Sequence, residues 1–250
     1  MSMKSVLLFS GGMDSLMLAH LLQPDGLLYI SSGAGYSSRE DQALAKLIEI
    51  NAIDSTRLIR SADVINLRSF ERDDYIVPNR NIYYVTLASH FGERILLGAL
   101  NGDRSCDKDA LFCERMSLLL NHVWQKQHWT DARTFSIEIP YKKFTKTALV
   151  AEYLRAGGTA DALLISYSCY TGREKPCGIC KPCVRKYVAL LNNMIIPPSG
   201  YYDNSARTHP LDAPWVVDAL PLMCKGKFRG DEDADFLHAI EFHKTIVCGY

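Results

Sequence analysis

A stretch near the amino terminus combines the groups that proteins use to hold a phosphate. Residues 9–15 read Phe-Ser-Gly-Gly-Met-Asp-Ser, between the apolar run 6–8 and a helix-like apolar segment. A buried strand that ends at glycines and restarts as a helix points backbone N–H groups outward, where the helix dipole adds positive charge. The stretch therefore predicts an anion site whose candidate contacts are Phe9, Ser10, Gly11, Gly12, Asp14 and Ser15.

The chemistry of this loop is narrowed by what surrounds the glycines. No lysine follows them, so the loop is not of the Walker type. Its Ser-Gly-Gly-x-Asp-Ser pattern resembles the pyrophosphate loop of the PP-loop ATP pyrophosphatases, which cleave ATP between its α and β phosphates. The alternative is an ordinary glycine-rich turn in which Asp14 caps a helix.

Four cysteines fall within fifteen residues later in the chain: Cys169, Cys177, Cys180 and Cys183. The last three follow a Cys-x2-Cys-x2-Cys pattern, and thiolates at this turn spacing can surround a tetrahedral metal ion without long-range contacts. Zinc is the expected ion, and the site is expected to be structural because four protein ligands leave no open position. An iron–sulfur cluster and a set of unrelated buried cysteines remain as alternatives.

Composition limits the class of protein. The 250 residues include 28 Lys and Arg and 28 Asp and Glu, so the formal net charge is zero. This balance favours a small-molecule substrate over a nucleic acid. No stretch approaches the ~20 apolar residues of a membrane span, and the apolar run after Lys4 is too short for a signal peptide. We expect a cytoplasmic protein whose eight cysteines stay reduced unless a metal holds them.

Strand-like and helix-like patterns alternate along the first 155 residues. Strands are predicted at residues 6–9, 26–31, 55–59, 94–100 and 135–140, and helices at residues 16–22, 39–51, 79–91, 110–125 and 145–155. This alternation implies an α/β, Rossmann-like, doubly wound parallel sheet with helices on both faces. Ligands of such sheets bind at the carboxyl ends of the strands.

Three parts are expected along the chain: an ATP-binding α/β domain (1–165), a four-cysteine zinc knuckle with a helix (166–194) and a C-terminal extension (195–250). The extension contains Trp215, Leu222 and Phe236, too apolar a content for a disordered tail. It is therefore expected to pack on the core or on a partner subunit, with a helix over residues 231–244.

The motifs together resemble the QueC family of 7-cyano-7-deazaguanine synthases over about residues 4–190. Besides the phosphate loop and the cysteine run, the resemblance rests on Val-Pro-Asn-Arg-Asn at residues 77–81 and on Lys146 at the start of a late helix. It implies that ATP adenylates the carboxylate of 7-carboxy-7-deazaguanine and that ammonia displaces AMP to give an amide. A second ATP then dehydrates the amide to a nitrile.

The resemblance also implies ATP, Mg²⁺ and Zn²⁺ as cofactors. Asp14 would hold Mg²⁺ on the pyrophosphate, Arg80 would contact a phosphate or the adenylate, and Lys146 would lie over the phosphates. The four clustered cysteines would bind Zn²⁺. The resemblance leaves open whether the protein forms a homodimer. Without the resemblance, Arg80 and Lys146 would each be interpreted as surface residues.

Two segments depart from the family pattern. Residues 33–38 read Gly-Ala-Gly-Tyr-Ser-Ser where family members carry Gln-Arg-His, and residues 103–110 read Asp-Arg-Ser-Cys-Asp-Lys-Asp-Ala where they carry Asp-x-x-x-Tyr-Pro-Asp-Cys-Arg. Both follow predicted strands, where the heterocycle and the acceptor amine would bind. The small residues predict an opened site and an acceptor larger than ammonia, such as a peptide or protein amine in a defence-type enzyme. The alternative is drift in an ordinary nitrile synthase.

Two other functions compete with this hypothesis. In an RNA thiolase of the same superfamily, Cys106 or Cys113 would carry a persulfide, but the neutral charge and the missing RNA-binding appendage argue against it. A non-enzymatic zinc-binding module would have no use for a pyrophosphate loop.

Overall fold

The centre of the molecule is a sheet of five parallel strands in the spatial order β3-β2-β1-β4-β5. The computed structural model describes residues 3–61, 65–203 and 209–248. The strands are β1 (Met3–Phe9), β2 (Gly26–Ile30), β3 (Leu58–Ser61), β4 (Gly92–Leu96) and β5 (Ser136–Glu138). Because the order reverses on either side of β1, the carboxyl ends of β1 and β4 flank the crevice in which such sheets bind ligands.

Nine α-helices are found in the described part of the chain: α1 (Met13–Leu22), α2 (Ser37–Glu49), α3 (Arg80–Ala88), α4 (Ala110–Val123), α5 (Lys146–Arg155), α6 (Ala160–Ile165), α7 (Lys181–Leu191), α8 (Pro214–Met223) and α9 (Glu232–Cys248). Helices α5 and α6 start at Thr145 and Thr159, whose hydroxyls accept the N–H groups of Ala148 and Ala162.

Alternate residues of each strand point to opposite faces of the sheet, and the buried residues divide between the two faces in the same way. Leu7 and Phe9 of β1 pack with α1, α2, α5, α6 and α7, whereas Val6 packs with α3 and α4 on the other face. Leu7 lies beside Leu27 of β2 and Leu96 of β4, so three neighbouring strands bury a leucine at one level. The predicted doubly wound α/β sheet is confirmed.

Some predicted boundaries are wrong. The third strand begins at Leu58 rather than at Ser55, because residues 55–57 form a short 3-10 turn. The Asp54 carboxylate caps that turn by accepting the N–H of Thr56 at 2.9 Å. Helix α8 was not predicted, since Pro221 lies inside it. Among the described residues, no helix combines the length and apolar character that a bilayer crossing requires.

The residues after 195 pack on the rest of the protein through α7. Val184 and Val188 of α7 share a buried cluster with Val216 and Met223 of α8 and with Phe236 of α9. The burial of Phe236 is complete. The extension therefore has an apolar core of its own, anchored on the helix that follows the cysteine run.

A buried ionic network joins the extension to the loop after β4. Arg185 of α7 donates to Asp103 at 2.7 Å and to Glu232 of α9 at 2.8 Å, and all three side chains are nearly excluded from solvent. Burial alone would lower the pKa of Arg185, but Asp103 and Glu232 outweigh burial and raise it. Gly102 permits this contact, because a Cβ there would lie 2.2 Å from a Glu232 carboxylate oxygen.

We expect Glu232→Gln to destabilise the protein by on the order of 3 kcal/mol, because it leaves the buried Arg185 without one of its two carboxylates. Denaturant unfolding measures the loss, and Asp218→Asn on the exposed side of α8 is the matched control. Equal unfolding free energies for Glu232→Gln and wild type would contradict this role.

Candidate active site

The glycine loop joins β1 to α1 in an extended-to-helix turn. Gly11 has a φ of +72°, which favours glycine, and Gly12 precedes α1 without a side-chain cap. Ser15 Oγ accepts the N–H of Ser10 at 3.2 Å and donates to the Gly12 carbonyl at 3.0 Å. The serines thus fix the loop, and the start of α1 presents N–H groups to an incoming anion.

Two of the predicted catalytic residues meet at this loop. The Lys146 ammonium donates a hydrogen bond to the Asp14 carboxylate. The Lys146 side chain is 6% exposed and that of Asp14 is 27% exposed, so the pair lies at the inner edge of the site. Lys146 therefore lies where phosphate oxygens would approach the loop.

The polypeptide after α6 runs against the phosphate loop. The Tyr167 N–H donates to the Gly11 carbonyl at 3.2 Å, and the Ser168 hydroxyl accepts the N–H of Met13 at 3.5 Å. A Cβ on Gly12 would lie 3.3 Å from the Tyr167 carbonyl oxygen. These contacts hold residues 167–168 beside the phosphate loop and leave no room for a larger residue at Gly12.

A buried lysine, Lys186, binds the residues just before this segment. Lys186 of α7 donates to the carbonyl of Ser166 at 2.5 Å and to the carbonyl of Leu164 at 3.2 Å. Burial lowers the pKa of Lys186 to about 7. Lys186 therefore connects α7 to the residues that directly precede segment 167–168 beside the phosphate loop.

The predicted metal-binding cysteines are brought together. The sulfurs of Cys169, Cys177, Cys180 and Cys183 all lie within 4.8 Å of one another, and no other group of three or more candidate ligands was found among the described residues. A tetrahedral site with Zn–S distances of about 2.3 Å needs sulfurs about 3.8 Å apart, so the cluster fits Zn²⁺.

Backbone donors complete the cysteine cluster. The N–H of Cys177 donates to Cys169 Sγ at 3.3 Å, and the N–H of Cys180 donates to Cys177 Sγ at 3.3 Å. Hydrogen bonds from the neighbouring thiols and from the Cys177 N–H hold the pKa of Cys169 far below its usual range. Donors directed at sulfur stabilise the thiolates that a metal requires.

Arg80 lies in a second polar cluster rather than beside the Asp14–Lys146 pair. Its guanidinium donates to the Tyr36 hydroxyl at 2.5 Å. The Tyr36 ring is 4% exposed and lies 6.2 Å from the ring of Tyr170, in the cysteine segment. The pKa of Arg80 is raised, because the nearby tyrosine and glutamate groups outweigh the effect of burial. The phosphate contact of Arg80 stays a prediction.

Gly33 and Gly35, the small residues after β2, are exposed but have polar side chains close to them, and the predicted opening for a larger acceptor stays a prediction. A Cβ on Gly33 would lie 2.6 Å from Asn66 Oδ1, and one on Gly35 would lie 2.6 Å from Arg68 Nη1. The Gly35 N–H also donates to the Glu71 carboxylate at 3.1 Å. Side chains of the segment after β3 therefore occupy part of the space beside these two glycines.

The two cysteines of the thiolase alternative differ in their exposure to solvent. Cys106 is exposed, whereas Cys113 lies on the buried face of α4 in the core. Burial raises the pKa of Cys113 to about 11, which makes its thiol a poor nucleophile.

Sequence reasoning missed Tyr36, Glu40, Asp103, Arg185 and Glu232. Glu40 carried one local signal, since it lies in the first turn of a helix that follows a strand end, but such acidic residues also serve the helix dipole. Arg185 and Glu232 are 47 residues apart and carried no such signal.

We expect Cys180→Ser to lose bound metal and much of the thermal stability, because metal binding contributes directly to folding at such sites. Elemental analysis of freshly purified protein measures the metal, with Cys224→Ser, an exposed cysteine outside the cluster, as control. Wild-type protein without any stoichiometric metal would contradict the assignment.

Glu40 should make stability depend on pH. Burial raises its pKa from 4.5 to about 8, the Arg80 cation opposes this, and Asp41 adds to it. Below about pH 4.5, Glu40 is protonated in both the folded and the unfolded protein, and its raised folded-state pKa then contributes fully to the free energy of unfolding. This contribution is lost as pH rises from about 4.5 to about 8, because the unfolded chain then releases the proton first.

Glu40→Gln removes this titration. We expect the variant to gain on the order of 2 kcal/mol over wild type at about pH 8 and little at about pH 5. Denaturant unfolding at both pH values measures the difference, and Glu49→Gln at the exposed end of α2 is the control. A difference that is the same at both pH values would count against the raised pKa.

Comparisons with known proteins agree with this geometry. The family model described as "Queuosine biosynthesis protein QueC" matches residues 41–194. A 7-cyano-7-deazaguanine synthase from Psychromonas ingrahamii is 28% identical over 230 residues, covering 81% of this chain and 100% of the relative. One from Chlorobaculum parvum is 29% identical over 230 residues, covering 80% and 96%. The model match spans more than half of the chain, which therefore belongs to the QueC family.

Proposed function

We propose that this chain is an ATP-dependent carbon–nitrogen ligase that adenylates the carboxylate of 7-carboxy-7-deazaguanine and transfers the acyl group to an amine. The observation that carries the proposal is the phosphate loop with its Asp14–Lys146 pair, next to the enclosed cluster of Tyr36 and Arg80. The similarity to 7-cyano-7-deazaguanine synthases supports the choice of a 7-deazaguanine substrate.

The first step needs charge neutralisation and positioning rather than a protein nucleophile. A carboxylate oxygen of the substrate attacks the α-phosphorus of ATP, an O–P bond forms, and the bond to the bridging oxygen breaks as pyrophosphate leaves. The N–H groups at the start of α1 and the Lys146 ammonium hold the departing negative charge. Asp14 would hold Mg²⁺, which supplies further charge stabilisation on the pyrophosphate.

The second step requires that water be kept from the acyl adenylate. An amine nitrogen attacks the acyl carbon, the C–N bond forms, and AMP leaves with the electron pair of the broken C–O bond. The burial of Tyr36, which is 4% exposed, would limit access of water on this side of the site. Arg80, with N–H groups beyond its bond to Tyr36, would contact the adenylate.

Ammonia is the first candidate acceptor, because the relatives are named 7-cyano-7-deazaguanine synthases and a cyano group carries a single nitrogen without a further substituent. The side chains of Asn66 and Arg68 lie close to the glycines after β2 and would limit the space there. Amide formation and dehydration by a second ATP would then give 7-cyano-7-deazaguanine.

A larger amine is the second candidate, and the extension favours it. The family model ends at residue 194, and beyond it Glu232 and Arg229 contact the loop after β4. That loop is one of the two segments that depart from the family pattern, so the extension would form a wall where an acceptor enters. A peptide or protein amine, as in a defence-type enzyme, would use such a wall for recognition.

We expect Asp14→Asn to release pyrophosphate about 10²- to 10³-fold more slowly than wild type, because it removes several kcal/mol of charge stabilisation. Asp161→Asn, at the matching position in the first turn of α6, should retain wild-type rates. Equal rates for Asp14→Asn and wild type would show that Asp14 has no such role.

The acceptor is tested by incubating the enzyme with 7-carboxy-7-deazaguanine, Mg-ATP and ammonium and identifying products by mass spectrometry. With ammonia as acceptor, we expect the nitrile to accumulate with AMP and pyrophosphate. Pyrophosphate release with only trapped adenylate, or slow amide formation with AMP, would favour the larger amine. Absence of both AMP and pyrophosphate would contradict the ligase proposal.

A further inference from the structure

Ser168 lies against the phosphate loop, although it is not one of the contacts predicted for that loop. Its hydroxyl oxygen accepts the N–H of Met13, the first residue of α1, at 3.5 Å. A Cβ on Gly12 would lie 3.9 Å from the same oxygen. A serine that is 155 positions away in the chain therefore adjoins the turn at which phosphates would bind.

Ser168 makes the same kind of contact as Ser10, which is a predicted phosphate contact. The Ser10 hydroxyl accepts the N–H of Gly12 at 3.3 Å, and the Ser168 hydroxyl accepts the N–H of the next residue, Met13. Both distances exceed the range of about 2.7–3.2 Å that is usual for N–H···O bonds. Such weak bonds leave both hydroxyls able to turn toward a stronger partner, and a charged phosphate oxygen is one.

The hydroxyl proton of Ser168 is available to a ligand. A serine hydroxyl carries one donor proton and two acceptor lone pairs, and the Met13 N–H uses one lone pair. In the part of the chain that the structure describes, this hydroxyl makes no second hydrogen bond. Met13 is 0% exposed, whereas Ser168 is half-buried, so the Met13 N–H reaches a ligand only through the hydroxyl, whose donor strength it increases.

The segment that carries Ser168 is held on both sides. Before it, the Lys186 ammonium donates to the carbonyl of Ser166 at 2.5 Å and to its hydroxyl at 3.1 Å. After it, Cys169 belongs to the cysteine cluster, and its Sγ accepts the N–H of Cys177 at 3.3 Å. A hydroxyl on a backbone fixed in this way loses little conformational entropy when it binds a ligand.

We propose that Ser168 contacts the pyrophosphate part of ATP, its hydroxyl donating to a phosphate oxygen while it accepts the N–H of Met13. This inference rests on the proposed function, which places the leaving pyrophosphate at the start of α1, and it adds a contact from the cysteine segment to the phosphate loop. The cysteine cluster then serves ATP binding, because it fixes the residue next to Ser168.

The test measures the Kd of Mg-pyrophosphate for four proteins, each the full chain with its bound metal, by isothermal titration calorimetry. The proteins are wild type, Ser168→Ala, Ser168→Thr, which keeps the hydroxyl, and the control Ser199→Ala, which removes an exposed hydroxyl after α7. Elemental analysis gives the metal content of each, because Ser168 directly precedes Cys169.

Ser168→Ala should bind Mg-pyrophosphate about 10- to 100-fold more weakly than wild type, the loss expected for a hydrogen bond to a charged group, whereas Ser168→Thr and Ser199→Ala should stay within about 3-fold. All four proteins should contain the same amount of metal. Wild-type affinity in Ser168→Ala overturns the inference. So does a weakening that Ser168→Thr shares, or one that accompanies loss of metal, because either assigns the effect to local packing.

Pyrophosphate binding separates this inference from the proposed function, because it needs no acyl substrate. A wild type that binds Mg-pyrophosphate through Ser168, yet releases none from ATP with 7-carboxy-7-deazaguanine, contradicts the ligase proposal and supports the assignment of Ser168. Turnover by wild type with an unchanged Kd in Ser168→Ala leaves the ligase intact and contradicts the assignment. A wild type that fails to bind Mg-pyrophosphate contradicts the assignment whatever its turnover.

Discussion

The structure depends most on one short segment, residues 167–172, which the cysteine cluster holds against the phosphate loop. Its N-terminal end bonds to Gly11 through the Tyr167 N–H at 3.2 Å. Its centre supplies Cys169 to the cluster, and its far end accepts a hydrogen bond from Arg39 of α2 at Gly172. The cluster therefore does more than close a loop, because the same residues set the position of the phosphate loop and of α2.

This arrangement places two polar sites on either side of one loop. On one side, Lys146 and Asp14 pair beside the glycines, where ATP phosphates would bind. On the other, Arg80 donates to the Tyr36 hydroxyl, and the Tyr36 ring lies 6.2 Å from the ring of Tyr170. A reaction between an α-phosphate and a carboxylate needs the two reactants side by side, and a rigid loop between the sites provides such alignment.

Much of this could be predicted from the sequence because the signals are local. The alternation of strands and helices gave the doubly wound sheet, and turn-spaced cysteines indicated a metal cluster before any contact was known. Prediction was incomplete where distant residues decide the structure. Gly33 and Gly35 gave no indication that Asn66 and Arg68, more than thirty positions away, would lie against them.

Other errors have similar causes. Pro221 argues locally against a helix, yet α8 forms because Val216 and Met223 bury against α7. In the sequence, Glu232 is one of several acidic residues at the start of α9, and only the folded chain brings it to Arg185. Ion pairs between distant segments leave no periodic pattern, so the link between the extension and the site could not be predicted.

The central claim is that the chain joins the substrate carboxylate to the α-phosphate of ATP. The most direct measurement uses 7-carboxy-7-deazaguanine with ¹⁸O in its carboxylate and follows the label by mass spectrometry. Adenylation followed by attack of an amine moves one carboxylate oxygen into AMP, so ¹⁸O-labelled AMP is the predicted product. AMP without label, or label in inorganic phosphate with formation of ADP, would contradict the account.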